Sequence, residues 1–231
     1  MDKNSYNIVH DYGEVTRKHV ESVIGRPVRE MSGYELMKRL IDNERDMRGT
    51  LLEEGCNLTK CEPFEEFQNY MRTHYELGDI KERRIDFGYS KLNGVNAEGI
   101  FLPYADLSNL ELQNAILRGA NLERAYFLGS NCTGADFTGA NLEGASFSRT
   151  NLAHAKLNSA NLSGTDFYRA ELHKAELKEV DLREINGLLD ESVRAMVSHL
   201  NTAYFGNTMV TKSLARTLEN YVSSSLLIIE K

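Results

Sequence analysis

The sequence predicts a mainly β fold, a solenoid of short sides wound about an apolar axis, with helical segments at either end. Three observations predict it. From Ile85 to Glu184 a five-residue unit of the form Ala-(Asn/Asp)-Leu-x-Gly recurs without insertion or deletion, most plainly in Ala140-Asn141-Leu142-Glu143-Gly144. Steps of five from Phe87 reach twenty central positions ending at Leu182, of which thirteen are Leu and five Phe, and only Ala97 and Cys132 depart. Two residues before each centre the chain prefers a small side chain, with Ala at eleven of the twenty. A period of five matches neither the 3.6 of a helix nor the 2.0 of a strand, so each unit reads as one short side. Four sides closing a turn give turns of twenty residues, and five such turns fit the repeat.

The first 84 residues contain no regular unit and read as helical. A helix is expected over Val15–Ile24, ahead of Gly25-Arg26-Pro27. A second is expected over Ser32–Arg48, where Ser32 and Glu35 have capping-box spacing and Leu36, Met37, Leu40, Ile41 and Met47 trace one stripe. A third starts near Pro63, carries Phe64, Phe67, Tyr70, Met71 and Tyr75, and stops at Gly78. Cys56 and Cys61 lie between the last two; with only His74 near, they read as half-buried loop thiols rather than a zinc site.

In the repeat, the central Leu or Phe and the small residue before it face inward, and the other positions face water. The expected core is Phe87, Leu107, Leu122, Phe127, Phe137, Leu142, Phe147, Leu162, Phe167 and Leu182. Phe87, Phe127, Phe147 and Phe167 differ by multiples of twenty and share a wall, as do Asn121, Asn141 and Asn161 on another. Gly at the last position, as at Gly119 or Gly144, tolerates the backbone angles of a corner. Bulkier residues take the small position near the ends, at Ile85, Val95, Ile100 and Leu110 and again at Val180, consistent with contact to flanking elements. Residues 185–231 read as two helices, Asp190–Leu200 and Thr211–Val222, followed by the apolar tail Leu226–Ile229.

On these pentads the sequence resembles the pentapeptide-repeat family, over about 100 of 231 residues. The resemblance implies a right-handed quadrilateral β-helix of about five turns, stacked at about 4.8 Å into a column roughly 24 Å long. Some quinolone-resistance members dimerise through a C-terminal helical region. For residues 185–231 this implies a homodimer contact as an alternative to a cap folded on its own column.

Composition narrows the function. The net charge of -7 disfavours nucleic-acid binding, and no apolar run is long enough for a membrane span or signal peptide, so a cytoplasmic protein is expected. The three cysteines are an odd count and Cys132 falls on an inward position, which argues against a disulfide framework. The glycines of the repeat lack the Lys-Ser/Thr of a phosphate loop, and there is no HExxH or GxSxG. His154 and His173 share a wall, as any outward residues at that spacing would. A narrow filled column leaves no substrate pocket. No enzymatic activity, cofactor or metal is therefore expected.

What remains is binding. Outward aromatic, aliphatic and Arg residues on the Phe wall, namely Tyr126, Leu128, Arg149, Tyr168 and Arg169, are the residue types that anchor protein interfaces. Phe101, Tyr104 and Ile116, also outward, lie near the first turn where the N-terminal helices would cover them. The sequence thus reads as a protein-interaction scaffold with another protein as partner. The alternative is mimicry of DNA toward a type II topoisomerase, which the quinolone-resistance resemblance implies. Duplex DNA about 24 Å long carries about 14 negative charges, whereas the repeat holds 13 acidic and 9 basic residues.

Overall fold

The computed structural model describes residues 14–182, together with 208–210 and 226–228. In chain order its elements are α1 (Glu14–Ile24), β1 (Arg29–Met31), α2 (Gly33–Ile41), β2 (Thr50–Leu52), a 3-10 turn (Leu58–Lys60), α3 (Phe64–Glu76), a second 3-10 turn (Ile80–Arg83), β3 (Thr208–Val210) and β4 (Leu226–Ile228). Between Ile85 and Leu182 the chain makes no long strand. Instead, residues at a five-residue spacing form parallel bridges to residues twenty further on. One wall runs Asp86, Asp106, Tyr126, Ser146, Asp166, and the next runs Lys91, Glu111, Asn131, Asn151, Glu171. Two more begin at Asn96–Ile116 and Phe101–Asn121, so four ladders stand side by side.

The unit around Leu142 shows why these residue types recur. The Asn141 N–H donates to the Ala120 carbonyl at 2.8 Å, the Asn141 carbonyl accepts from Leu122 N–H at 2.8 Å, and Ala145 N–H closes a turn onto Leu142 O at 2.9 Å. Asn141 Oδ1 accepts from Glu143 N–H, as Asp106, Asn131 and Asn161 do from the residue two ahead. This Asx turn sets the corner and explains the preference for Asn or Asp. The third residue of the turn is left-handed, with φ 64° at Gly144 and 54° at Arg124, as a type II turn requires. Ser130, Thr150 and Thr165 replace Ala at small positions by donating to Leu107 O, Phe127 O and Leu142 O, so none leaves a hydroxyl buried without a partner.

Inside, Leu122, Phe127, Phe137, Leu142 and Phe147 are wholly inaccessible, and Leu162, Phe167, Phe87, Leu107 and Leu182 are buried with them. Phe147 stacks on Phe127 with centroids 4.5 Å apart and on Phe167 at 5.5 Å, while Phe137 meets Phe127 and Phe147 edge-on. Phe87 lies on the same wall but beyond Leu107, outside the stack. On the Asn wall, Asn161 Nδ2 donates to Asn141 Oδ1 at 3.1 Å.

The column begins earlier than Ile85. Asp46 bridges Asp86, Leu51 bridges Lys91 and Asn57 bridges Asn96, so Met47, Leu52 and Leu58 occupy central positions of a preceding rung. Below it, β1 pairs in parallel with β2, Arg29 opposite Thr50. The expected helix Ser32–Arg48 is accordingly shorter. Ser32 caps it, accepting from Glu35 N–H, but the Glu35 carboxylate turns to Arg39 instead of closing the box. α2 ends at Ile41, Asn43 is left-handed at φ 67°, and Met47 joins the column. The Asp46 carboxyl, hydrogen-bonded by Arg48 against the desolvation of its site, is lowered to about 2.

On the fourth wall α3 replaces the missing strand. Phe101 N–H, which in later rungs would find a carbonyl, donates to Gln68 Oε1 at 2.6 Å, and Gln68 is 1% exposed. Gln68→Leu keeps the volume but removes the acceptor of this part-buried N–H, and should lower unfolding free energy by about 0.5–1.5 kcal/mol. Urea unfolding followed by circular dichroism measures it, and an unchanged midpoint would show that another acceptor takes over. Leu36 and Met37 of α2 press on the end of the column, leaving a cavity of ≈ 30 Å³ beside Ala97, Ile100, Leu110 and Leu117. Val95, Ile100 and Leu110, bulky residues at small positions, line this room.

The expected C-terminal helices Asp190–Leu200 and Thr211–Val222 lie outside the described residues. Of the tail, Leu226–Ile228 forms strand β4, parallel to β3 with Thr208 opposite Leu226. No described helix is long and apolar enough to cross a membrane.

Candidate protein-binding face

The five residues singled out by sequence stand on one wall, over three successive rungs. Tyr126 and Leu128 flank the inward Phe127 and are each 44% exposed. One rung on, Arg149 is exposed, and its N–H donates to Tyr168 O at 2.8 Å, joining it to the rung that carries Tyr168 and Arg169. Tyr168 is half-buried, with the Arg169 guanidinium 5.2 Å from its ring centroid. Burying Tyr126 and Leu128 costs no backbone hydrogen bond, because the ladder already satisfies the backbone here.

The wall's carboxylates are engaged by their own neighbours. Asp166 accepts from Ser148 Oγ at 2.6 Å and from Tyr168 N–H at 2.9 Å. Asp106 accepts from Ser108 N–H at 3.1 Å and pairs with Arg84 at 3.3 Å.

Structure extends this face toward α3 with residues that sequence reasoning passed over. Arg84 lies 5.8 Å from the Tyr126 ring, and across the corner Arg124 lies 5.9 Å and Lys81 5.3 Å from Tyr104. Tyr75 of α3 donates to Glu123 Oε2 at 2.5 Å and meets Phe101 edge-on at 5.5 Å. The Glu123 carboxylate holds the Tyr75 hydroxyl protonated, its pKa pushed up to about 12. Phe101 and Tyr104 are half-buried beneath these contacts, and Ile116, on the Asn96 wall, is half-buried too. The only sequence signal for Arg84 and Lys81 was their place just ahead of the first regular unit.

Among the described residues, no group of three or more His, Cys, Asp and Glu is arranged to hold a metal ion. His154 and His173 do meet, ring centroids 5.9 Å apart, but as an exposed pair on the Lys91 wall. Cys56 and Cys61 converge on Gly33, where a Cβ would meet their sulfurs at 2.6 and 3.1 Å. Burial pushes both thiols up, so neither has the lowered pKa of a reactive thiolate.

Comparison with known proteins agrees with this geometry. A family profile described as pentapeptide repeats matches 8 copies across residues 105–144 and 145–183. No curated protein matches the chain. Among solved structures, HetL, a pentapeptide repeat protein involved in heterocyst differentiation regulation from the cyanobacterium Nostoc sp. strain PCC 7120, is similar in fold. It is 20% identical with a TM-score of 0.50, over 78% of this chain and 82% of HetL. Two others overlay more loosely. The pentapeptide repeat protein Rfr23 from the cyanobacterium Cyanothece 51142 is 23% identical, over 78% of this chain and 97% of that one, with a TM-score of 0.26. Full-length QnrB1, a plasmid-mediated fluoroquinolone resistance protein, is 16% identical over 76% of this chain and 81% of its own, with a TM-score of 0.23. Over residues 105–183 the repeats of the column match the pentapeptide-repeat family, and the fold is similar to that of a solved pentapeptide repeat protein.

Proposed function

We propose that this protein is a non-enzymatic interaction scaffold, and that its four ladders are the walls of a right-handed, four-sided β-helix that holds a docking face rigid. The observation that carries this reading is the exposed pair Tyr126 and Leu128, set beside Arg149, Tyr168 and Arg169 on one wall. Aromatic and Arg side chains on a preorganised surface lose little conformational entropy on binding, and they dominate interface energetics. The capped N-terminal end supports it further, since α2 and α3 cover an edge that would otherwise recruit other strands.

The double variant Tyr126→Ala with Leu128→Ala tests it. Both side chains are outward, so stability should stay within about 0.5 kcal/mol of the parent. Affinity capture from the native cell extract, with the full chain as bait and quantitative mass spectrometry as readout, should show the specifically retained protein reduced at least tenfold. Retention at the parent level would remove this face from the function.

A further inference from the structure

We infer that Cys56 and Cys61 form a two-coordinate site for a soft monovalent cation, copper(I), where the start of α2 meets the lowest rung and the approach to α3. The site is built around Gly33, the first residue of α2. A Cβ placed there would stand 2.6 Å from Cys56 Sγ, 3.1 Å from Cys61 Sγ and 2.9 Å from a Leu58 methyl, so glycine leaves room that both sulfurs face. The two sulfurs are therefore separated by no more than the sum of their distances from that point, 2.6 and 3.1 Å. Metal–thiolate bonds of about 2.3 Å on opposite sides of one ion fit within that limit. Both thiols are free and half-buried, which leaves an ion a way in.

Ligand number selects the ion. Structural zinc fills four positions, and among the described residues no third His, Cys, Asp or Glu joins the pair. His74, the histidine nearest in sequence, has its Nδ1 held by Asp79 at 2.8 Å. Two thiolates alone suit copper(I), a soft ion that thiolate ligands select. On binding, each thiol gives its proton to water, because a coordinating thiol is deprotonated outright. The complex then carries one negative charge. It lies at the N-terminus of α2, where the Gly33 N–H already bonds to the Cys56 sulfur and the helix dipole favours an anion. The ligand backbones are fixed as well. Cys56 O accepts from Asn96 N–H of the ladder at 2.8 Å, and Cys61 O accepts from Phe64 N–H, the first residue of α3, at 2.9 Å. Cys61 Sγ itself makes only a long contact to Asn57 O, at 3.6 Å, which the ion would replace. Copper(I) between the sulfurs would thus tie the column to both helices of its cover.

The test is a titration of the full chain with copper(I), under nitrogen, against the chromogenic chelator bicinchoninate. The parent should withdraw one equivalent of copper(I), and Cys56→Ser and Cys61→Ser should each bind at least tenfold more weakly. Cys132→Ala, which removes the thiol buried in the column, should bind as the parent does. Copper(I) should also raise the Tm of the parent and leave that of Cys56→Ser with Cys61→Ser unmoved. The proposal is overturned if the paired Ser variant binds within threefold of the parent, or if Cys132→Ala loses as much as the pair. Two thiols lost per chain with no copper retained would mean that the pair closes a disulfide instead, and would sink it too. The site shares no residue with the docking face, so its failure leaves that reading standing.

Discussion

Phe147→Ala is expected to lower the free energy of unfolding by about 3–5 kcal/mol. Phe147 is wholly buried, stacks on Phe127 and Phe167, and meets Phe137 edge-on, so its removal opens a hole at the middle of the aromatic stack. The hole cannot close easily. Its walls are rungs fixed by backbone bonds of 2.7 to 3.0 Å, such as Phe147 N–H to Asp166 O and Thr150 N–H to Phe147 O. Equilibrium urea unfolding measures the change, and a loss below about 1 kcal/mol would show that Phe147 does not share the well-packed interior described above. Phe147→Leu, the other residue the repeat uses at its centres, should recover most of the stability.

The second large effect is of the opposite kind. Ala140→Leu should destabilise by about 1–3 kcal/mol through overpacking. Ala140 is fully buried, with Ala120 and Ala160 on the rungs to either side, and Asn141 N–H bonds to Ala120 O at 2.8 Å. Three methyl groups in file leave no room for an isobutyl chain, whereas Ile100, on the same line toward the N-terminal end, borders the cavity near Ala97. Differential scanning calorimetry of Ala140→Leu should show a lower Tm. A Tm at or above the parent's would mean that the interior of the column is looser than its inaccessibility implies.

Much of the repeat was legible in the sequence because its signal is repeated and its cause is local. Each pentad needs an Asx side chain for the turn, a small residue to let the walls approach, and a large apolar centre, and Asn141, Ala140 and Leu142 state those needs outright. What could not be read was where the repeat stops being regular. Met47 looked like part of a helical stripe because Met suits either setting, and the unit from Leu52 to Leu58 carries one residue too many for a period of five. Only the bridges of Asp46, Leu51 and Asn57 to the next rung show these to be sides of the column. Gln68 was equally invisible: a buried amide in an amphipathic helix has no sequence mark of what it bonds to. For the candidate face, the outward positions followed from the period. Arg84, Lys81 and Tyr75 come from outside the pentads, and only the fold brings them to the same surface.

The route by which α3 enters the column also bears on how the molecule is made. Along the regular part every rung joins residues twenty apart, but Asp46 meets Asp86 forty residues later, since the helix and its flanks are interposed. Closing a loop of doubled length costs about 0.6 kcal/mol more. The lowest rung is therefore entropically the dearest to form, although it leaves the ribosome first. Assembly is then favoured to start among the uniform rungs downstream and to spread back toward the amino end, with the helical lid seated late.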